Sequence, residues 1–158
     1  MAQKALNLED IVAGNIIQTK GIGSMTWLKD GERYSRLENN KQTGGTDIVA
    51  YRAKDNSREV IIPSSLLTDK STGRPIPVRS VSWSADNEKV LIYNNTRRVW
   101  RYDTRGDYWV LNLKDGALRQ LGKGMPESSM MFAKFSPDGT RVAYVSNNNI
   151  YVEDIDSG

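Results

Sequence analysis

Short runs in which apolar and polar residues alternate divide this chain into many predicted β-strands. At residues 80–84, Val81 and Trp83 share one face of a strand and the serines share the other. The longer apolar run at 108–113 is typical of a strand that is covered on both faces. Further strands are predicted at 24–28, 33–38, 47–52, 59–62, 89–101, 117–121, 130–135, 141–145 and 150–155, with a helical turn at 6–14, a short strand at 15–19 and a loop at 104–107.

An aromatic residue followed by a short turn sequence occurs three times. The copies begin at Trp27, Trp83 and Phe135, which lie 56 and 52 residues apart. Each copy contains Asp-Gly or Asp-Asn, and these pairs predict tight turns because glycine and asparagine tolerate positive φ. Repeats of about 40–50 residues that consist of short strands indicate a β-propeller with one blade per repeat.

The repeat predicts an all-β fold, a partial β-propeller of about two and a half four-stranded antiparallel blades. We divide the chain into a lead-in segment (1–21), a first blade (22–63), a connection (64–79), a second blade (80–121) and a third blade cut before its fourth strand (122–158). Propellers close with about 4–8 blades, so we expect the chain to be part of a larger ring. Open blade edges would then favour a homo-oligomer.

Composition removes several classes of function. The chain has 22 basic and 19 acidic residues, a net charge of +3 that is too balanced to predict nucleic-acid binding. It contains no histidine, no cysteine and no Gly-x-Ser-x-Gly sequence, so a serine–histidine–acid triad and an ordinary zinc site cannot be built from it. We therefore expect no catalytic residue, no metal site and no cofactor here. We also expect no membrane span and no signal peptide within the sequence.

Two groups of aromatic residues could bind a ligand or pack between blades. Trp27, Trp83 and Phe135 head the repeats, and this regular recurrence favours packing. A second group alternates along predicted strands, which again favours packing over sugar or peptide binding. That group consists of Trp100, Tyr102, Tyr108 and Trp109.

A local basic group is interleaved with acidic residues, which favours a solvated, partly paired face. The basic members are Arg97, Arg98, Arg101 and Arg105, and the acidic ones are Asp103, Asp107 and Asp115. By this local interpretation, Arg101 is a rim arginine that pairs with Asp103 or Asp107.

Three stretches together resemble the N-terminal propeller of dipeptidyl peptidase IV-like serine exopeptidases, in the prolyl oligopeptidase family. They are residues 8–11, residues 99–102 with 107–113, and residues 135–145 with 148–152. The order and spacing match over nearly the whole chain, and the Trp100-Arg101 segment is the most specific part. The resemblance implies an eight-bladed propeller that caps an α/β-hydrolase domain, itself absent from this sequence. The family removes dipeptides from peptide N-termini, usually after proline or alanine.

The resemblance also implies a role for Arg101, which matches the family's propeller arginine at the active-site cavity. That arginine hydrogen-bonds the backbone carbonyl of the substrate's N-terminal dipeptide, a task that suits the fixed donors of a guanidinium. The family's glutamate pair, which holds the substrate amine, would follow Gly158 and is not Glu153-Asp154.

The expected function is therefore that of a propeller segment that gates the active site and helps to bind the substrate N-terminus. It would not be catalytic alone, and its parent protein would be periplasmic or secreted. Two alternatives remain open at this point. One is a non-enzymatic propeller of the TolB or WD type that binds protein partners. The other is a carbohydrate-binding propeller, which predicts a row of exposed aromatic rings.

Overall fold

A computed structural model of the chain describes Asn7, Leu8, Val12, Gly21 and residues 23–157. The predicted strand at 15–19 and most of the predicted helical turn at 6–14 lie outside the described residues. Among those that are described, no helix has the length and apolar character needed to cross a membrane.

Three antiparallel sheets follow one another along the chain. The first contains β1 (Thr26–Trp27), β2 (Arg33–Asn39), β3 (Thr46–Arg52) and β4 (Arg58–Ile62), paired in chain order. A 3-10 turn at Ser64–Leu66 and a small hairpin of β5 (Thr68–Asp69) and β6 (Arg74–Pro75) lead to the second sheet. That sheet contains β7 (Ser80–Trp83), β8 (Lys89–Val99), β9 (Tyr102–Asn112) and β10 (Leu118–Gln120), and the third contains β11 (Met131–Phe135), β12 (Arg141–Ser146) and β13 (Asn149–Asp154). The prediction of an all-β partial propeller is confirmed.

Two apolar cores join the three sheets. The first core lies between the first and second sheets and contains Ile48, Ile62, Leu67, Ile76, Val90, Ile92 and Leu111. The second lies between the second and third sheets and contains Leu91, Tyr108, Val110, Leu121, Met130, Val142, Tyr144 and Ile155. Successive side chains of β8 and β9 enter opposite cores, as the period of two in a strand requires. The middle sheet is therefore covered on both faces, as the apolar run at 108–113 predicts.

The three turn cassettes have the same local structure. In each, the aspartate accepts a hydrogen bond from the backbone N–H two residues later: Asp30 from Glu32 (2.9 Å), Asp86 from Glu88 (3.0 Å) and Asp138 from Thr140 (3.1 Å). The residue after each aspartate is left-handed, with φ of 68° at Gly31, 60° at Asn87 and 68° at Gly139. Glycine and asparagine tolerate this conformation, so the predicted tight turns are confirmed.

We expect the Asp138 carboxyl to titrate at about 2. The Ser136 hydroxyl and the Thr140 backbone N–H and hydroxyl donate to it and hold its pKa well below the usual value near 3.8. Because the folded pKa is the lower one, this turn contributes stability above the unfolded pKa and loses it as the pH falls towards 2. Carboxyl-detected NMR should show a Ser136→Ala variant titrating closer to 3.8. Thr43→Ala, in the turn between β2 and β3, should leave the Asp138 pKa unchanged, and a shift of that pKa would contradict a local cause.

The predicted packing role holds for two of the three cassette aromatics. Trp83 and Phe135 are half-buried, and the Trp83 indole donates to the Ser35 hydroxyl across the first interface (3.2 Å). The prediction is wrong for Trp27, which is 61% exposed. Its ring lies edge-on to the Tyr34 ring, with the ring centroids 5.9 Å apart. Trp27 lies on the face of the first sheet that no other described sheet covers.

The prediction of a loop at 104–107 is also wrong, because these residues belong to β9. They lie where β9 pairs with the distal half of β8, and Arg105 is opposite Arg97. Polar and charged side chains fit a strand here because the hairpin has left the apolar cores.

Candidate functional site

A two-stranded arm leaves the second sheet where its edge strands end. Strand β7 pairs with β8 only as far as Tyr93, and β10 pairs with β9 no further than Trp109. Beyond that point β8 and β9 continue to pair with each other as far as Val99 and Tyr102. We refer to residues 95–105 as the arm. It carries the segment that resembles the family's substrate-binding propeller arginine.

A polar clamp fixes the base of the arm. The Asp107 carboxylate is buried and accepts hydrogen bonds from the Asn95 amide and the Ser128 backbone N–H, both at 2.7 Å. The Ser128 hydroxyl donates to the Asn95 carbonyl (2.6 Å), and the Asn95 amide also reaches Glu127 (2.8 Å). The clamp ties both strands of the arm to the segment before β11.

The backbone at the base is packed equally closely. Gly106 and Met130 exchange two backbone hydrogen bonds, at 3.0 Å and 3.1 Å, which bridge the second and third sheets. Beside them the Tyr93 ring stacks on Tyr108 with centroids 4.8 Å apart. Burial raises the pKa of Tyr93 to about 12, so its hydroxyl keeps its proton and donates to the Asp103 carbonyl (2.8 Å). The arm therefore leaves a rigid support.

The tip of the arm is a two-residue turn formed by Trp100 and Arg101. Trp100 has a φ of 60° and Arg101 is not left-handed, which is the sign pattern of a type II′ turn. Glycine is the usual residue at the first position of that turn, and a bulky residue there costs about 1–3 kcal/mol. The Arg98 guanidinium donates to the Trp100 carbonyl (3.1 Å) and supports the turn. The strained tip presents both side chains to solvent.

Arg101 is exposed, and its predicted local pairing is wrong. Asp103 instead forms an ion pair with Arg79 (3.3 Å), and Asp107 is occupied by the clamp. Within the part of the chain that the structure describes, the Arg101 side chain has no hydrogen-bond or ion-pair partner. All its guanidinium donors are thus available to an external carbonyl or carboxylate.

The predicted aromatic packing cluster is divided by the arm. Tyr108 is buried and Trp109 is half-buried in the cores, as predicted. The prediction is wrong for Trp100 and Tyr102, which are 94% and 73% exposed. The sequence did not identify the clamp, because Asn95, Asp107 and Ser128 are distant in sequence and belong to no motif. The only local signal was Gly106, a glycine inside a predicted polar segment.

Comparisons with known proteins agree with this architecture. Residues 84–158, which include the arm, match the family described as the dipeptidyl peptidase IV N-terminal region. Dipeptidyl aminopeptidase B of Saccharomyces cerevisiae is 27% identical over 152 residues, covering 90% of this chain and 17% of the yeast protein. A probable dipeptidyl-aminopeptidase B of Aspergillus terreus is 25% identical over 98% of this chain and 18% of its own length.

The crystal structure of Porphyromonas gingivalis dipeptidyl peptidase 4 shares the fold. It superposes with a TM-score of 0.74 at 20% identity, covering 99% of this chain and 21% of that protein. The chain thus spans about a fifth or less of the length of these relatives.

Proposed function

Since the chain belongs to the N-terminal propeller region of the dipeptidyl peptidase IV-like peptidases, we propose that its arm helps to bind the N-terminus of a peptide substrate. In the parent protein, the Arg101 guanidinium donates hydrogen bonds to a backbone carbonyl of the N-terminal dipeptide. The surrounding sheets restrict access to an active site that a separate hydrolase domain supplies. The observation that supports this role is an unpartnered arginine at the tip of a clamped, strained arm.

The structure of the arm favours binding over a purely structural role for Arg101. A structural arginine on a sheet normally satisfies its donors with neighbouring carboxylates or carbonyls. Here the two acidic residues nearest to Arg101 in sequence, Asp103 and Asp107, already bind other residues. A rigid support also reduces the entropy lost when a ligand binds, because the backbone that carries the arginine is already held in position.

We expect replacement of Arg101 by glutamine in the parent protein to lower kcat/KM for an Xaa-Pro substrate by roughly 10–100-fold. A hydrogen bond from a charged donor contributes about 1.5–3 kcal/mol, and a bond made to the bound substrate appears mainly as a higher KM. Steady-state kinetics on a chromogenic dipeptide substrate provide the measurement. Arg74→Gln removes the same charge from the exposed β5–β6 hairpin and should leave the kinetics unchanged. Equal kinetics for both variants would refute the substrate role.

The match to the peptidase family favours this function over a non-enzymatic binding platform. A carbohydrate surface is also less well supported. A row of three aromatic rings does lie on the face of the first sheet that no other described sheet covers, namely Trp27, Tyr34 and Tyr51. The Tyr34 and Tyr51 rings, however, are half-buried and stack on each other with centroids 5.7 Å apart. Of these three rings only that of Trp27 is open to solvent, whereas a sugar-binding row needs several.

A further inference from the structure

Two arginines lie directly opposite each other on the arm. Arg97 of β8 and Arg105 of β9 are partners in the strand register, and both are exposed. Directly opposite residues on antiparallel strands have Cβ atoms about 4.5–5.5 Å apart, and like charges at that separation destabilise the pair. The arm therefore carries two like charges at paired positions, an arrangement that does not stabilise its own fold.

The acidic residues that could neutralise this pair are already in use. Asp103 pairs with Arg79, Asp107 accepts from Asn95 and Ser128, and Glu127 accepts from Asn95. Within the described ranges, neither the Arg97 nor the Arg105 side chain forms a hydrogen bond or an ion pair. Two guanidinium groups are thus left without a counter-charge, and the clamp at the base of the arm holds the strands that carry them in place.

An aromatic ring extends the same surface. Arg97 and Val99 lie two residues apart on β8 and so share a face, and their register partners on β9 are Arg105 and Tyr102. The register shifts between Arg97 and Arg98, where β9 has one extra residue, and this bulge places Tyr102 and Arg105 opposite the same face although they are three residues apart. We refer to Arg97, Val99, Tyr102 and Arg105 as the arginine face. It combines two planar cations with a tyrosine ring that is 73% exposed. Guanidinium groups bind carboxylates with two parallel hydrogen bonds, and aromatic rings pack against the rest of a peptide.

We propose that the arginine face binds the acidic side chains of a peptide. A peptide is favoured over a nucleic acid because the whole chain carries a net charge of only +3 and an acidic residue, Asp103, interrupts the basic residues of the arm. The proposal rests on the proposed function in one respect, namely that peptides pass the arm. It adds a specificity that Arg101 does not supply, because Arg101 recognises a backbone group present in every peptide.

The test measures the binding of two fluorescein-labelled peptides to the full 158-residue chain by fluorescence anisotropy. One peptide contains three Asp or Glu residues, and the other has Asn or Gln at the same positions. We expect the acidic peptide to bind at least about fivefold more tightly at low salt, with the preference declining as the ionic strength rises. In an Arg97→Gln/Arg105→Gln variant the preference should disappear. The matched control, Lys70→Gln/Arg74→Gln, removes two exposed charges from the β5–β6 hairpin and should retain it.

The stability of the variants provides an independent check. Because Arg97 and Arg105 repel each other, either single replacement by glutamine should raise the melting temperature or leave it unchanged. Lower stability would mean a structural role and would overturn the proposal. Equal binding of the two peptides would also overturn it, as would an equal loss of preference in the control variant or equally tight binding of a short single-stranded DNA.

If the preference disappears only in Arg101→Gln, the arginine face is not the site and the proposed function stands. If Arg101→Gln leaves catalysis intact while the preference depends on Arg97 and Arg105, the proposed function fails and this site remains.

Discussion

Replacing Ile92 by alanine should lower the free energy of unfolding by roughly 3–4 kcal/mol. The side chain is fully buried at the centre of the core between the first and second sheets. Truncation of a buried isoleucine to alanine costs about 2–5 kcal/mol, because transfer energy is lost and a cavity remains. We place Ile92 in the upper half of that range. Its neighbours, Trp109 opposite it on β9 and Ile48 on the first sheet, belong to paired strands that cannot collapse into the space.

Urea denaturation followed by tryptophan fluorescence measures this loss, since Trp83 and Trp109 both pack against the same core. Ile150→Ala is the matched control: the same atoms are removed from β13, where the side chain is 78% exposed, so the expected change is within about 0.5 kcal/mol. If Ile92→Ala proved as mild as Ile150→Ala, the first two sheets would not share a cooperative core.

The periodic parts of the chain were readable from the sequence, since their causes are local. The alternation of apolar and polar residues around Val81 and Trp83 predicts a strand with two different faces, and an aspartate followed by glycine or asparagine predicts a tight turn. These signals predicted the order of the sheets, the turn cassettes and the doubly covered middle sheet. The resemblance, by contrast, supplied the role of Arg101, which no local pattern indicates.

The errors occurred where a residue's environment depends on distant parts of the chain. Trp27 heads its repeat as Trp83 does, yet among the described residues only Trp83 has a neighbouring sheet that covers it. The segment at 104–107 has the composition of a loop, but pairing with β8 makes it a strand. The clamp between Asp107 and Ser128 spans 21 residues, a separation that periodicity does not detect. The arm, which carries the proposed substrate-binding residue, was therefore the part of the fold that the sequence predicted least well.

Replacing Gly106 by alanine should cost about 2–3 kcal/mol and disturb the arm. A Cβ atom there would clash with Cε2 of Tyr93 and would lie 2.6 Å from the backbone carbonyl oxygen of Asn94. Neither neighbour can move easily, because the Tyr93 ring stacks on Tyr108 and its hydroxyl is bound to the Asp103 carbonyl. Added volume in a tightly packed site costs about 1–3 kcal/mol, and we expect the upper end since one clash involves the backbone. Gly21→Ala, where an added Cβ meets nothing within 4 Å, is the control and should be nearly neutral.

A double variant separates the two clashes. Tyr93→Ala removes the ring that the new Cβ would strike but leaves the Asn94 carbonyl in place. In Tyr93→Ala/Gly106→Ala, the loss of stability should therefore be smaller than the sum of the single losses, by about 0.5–3 kcal/mol for residues in contact. Strict additivity would mean that the carbonyl contact dominates and that β8 itself must shift. In that case the strand that leads to Trp100 and Arg101 would move with it. Amide exchange in the arm, measured by NMR, should then increase more in Gly106→Ala than in Tyr93→Ala, which connects the packing of one glycine to the placement of Arg101.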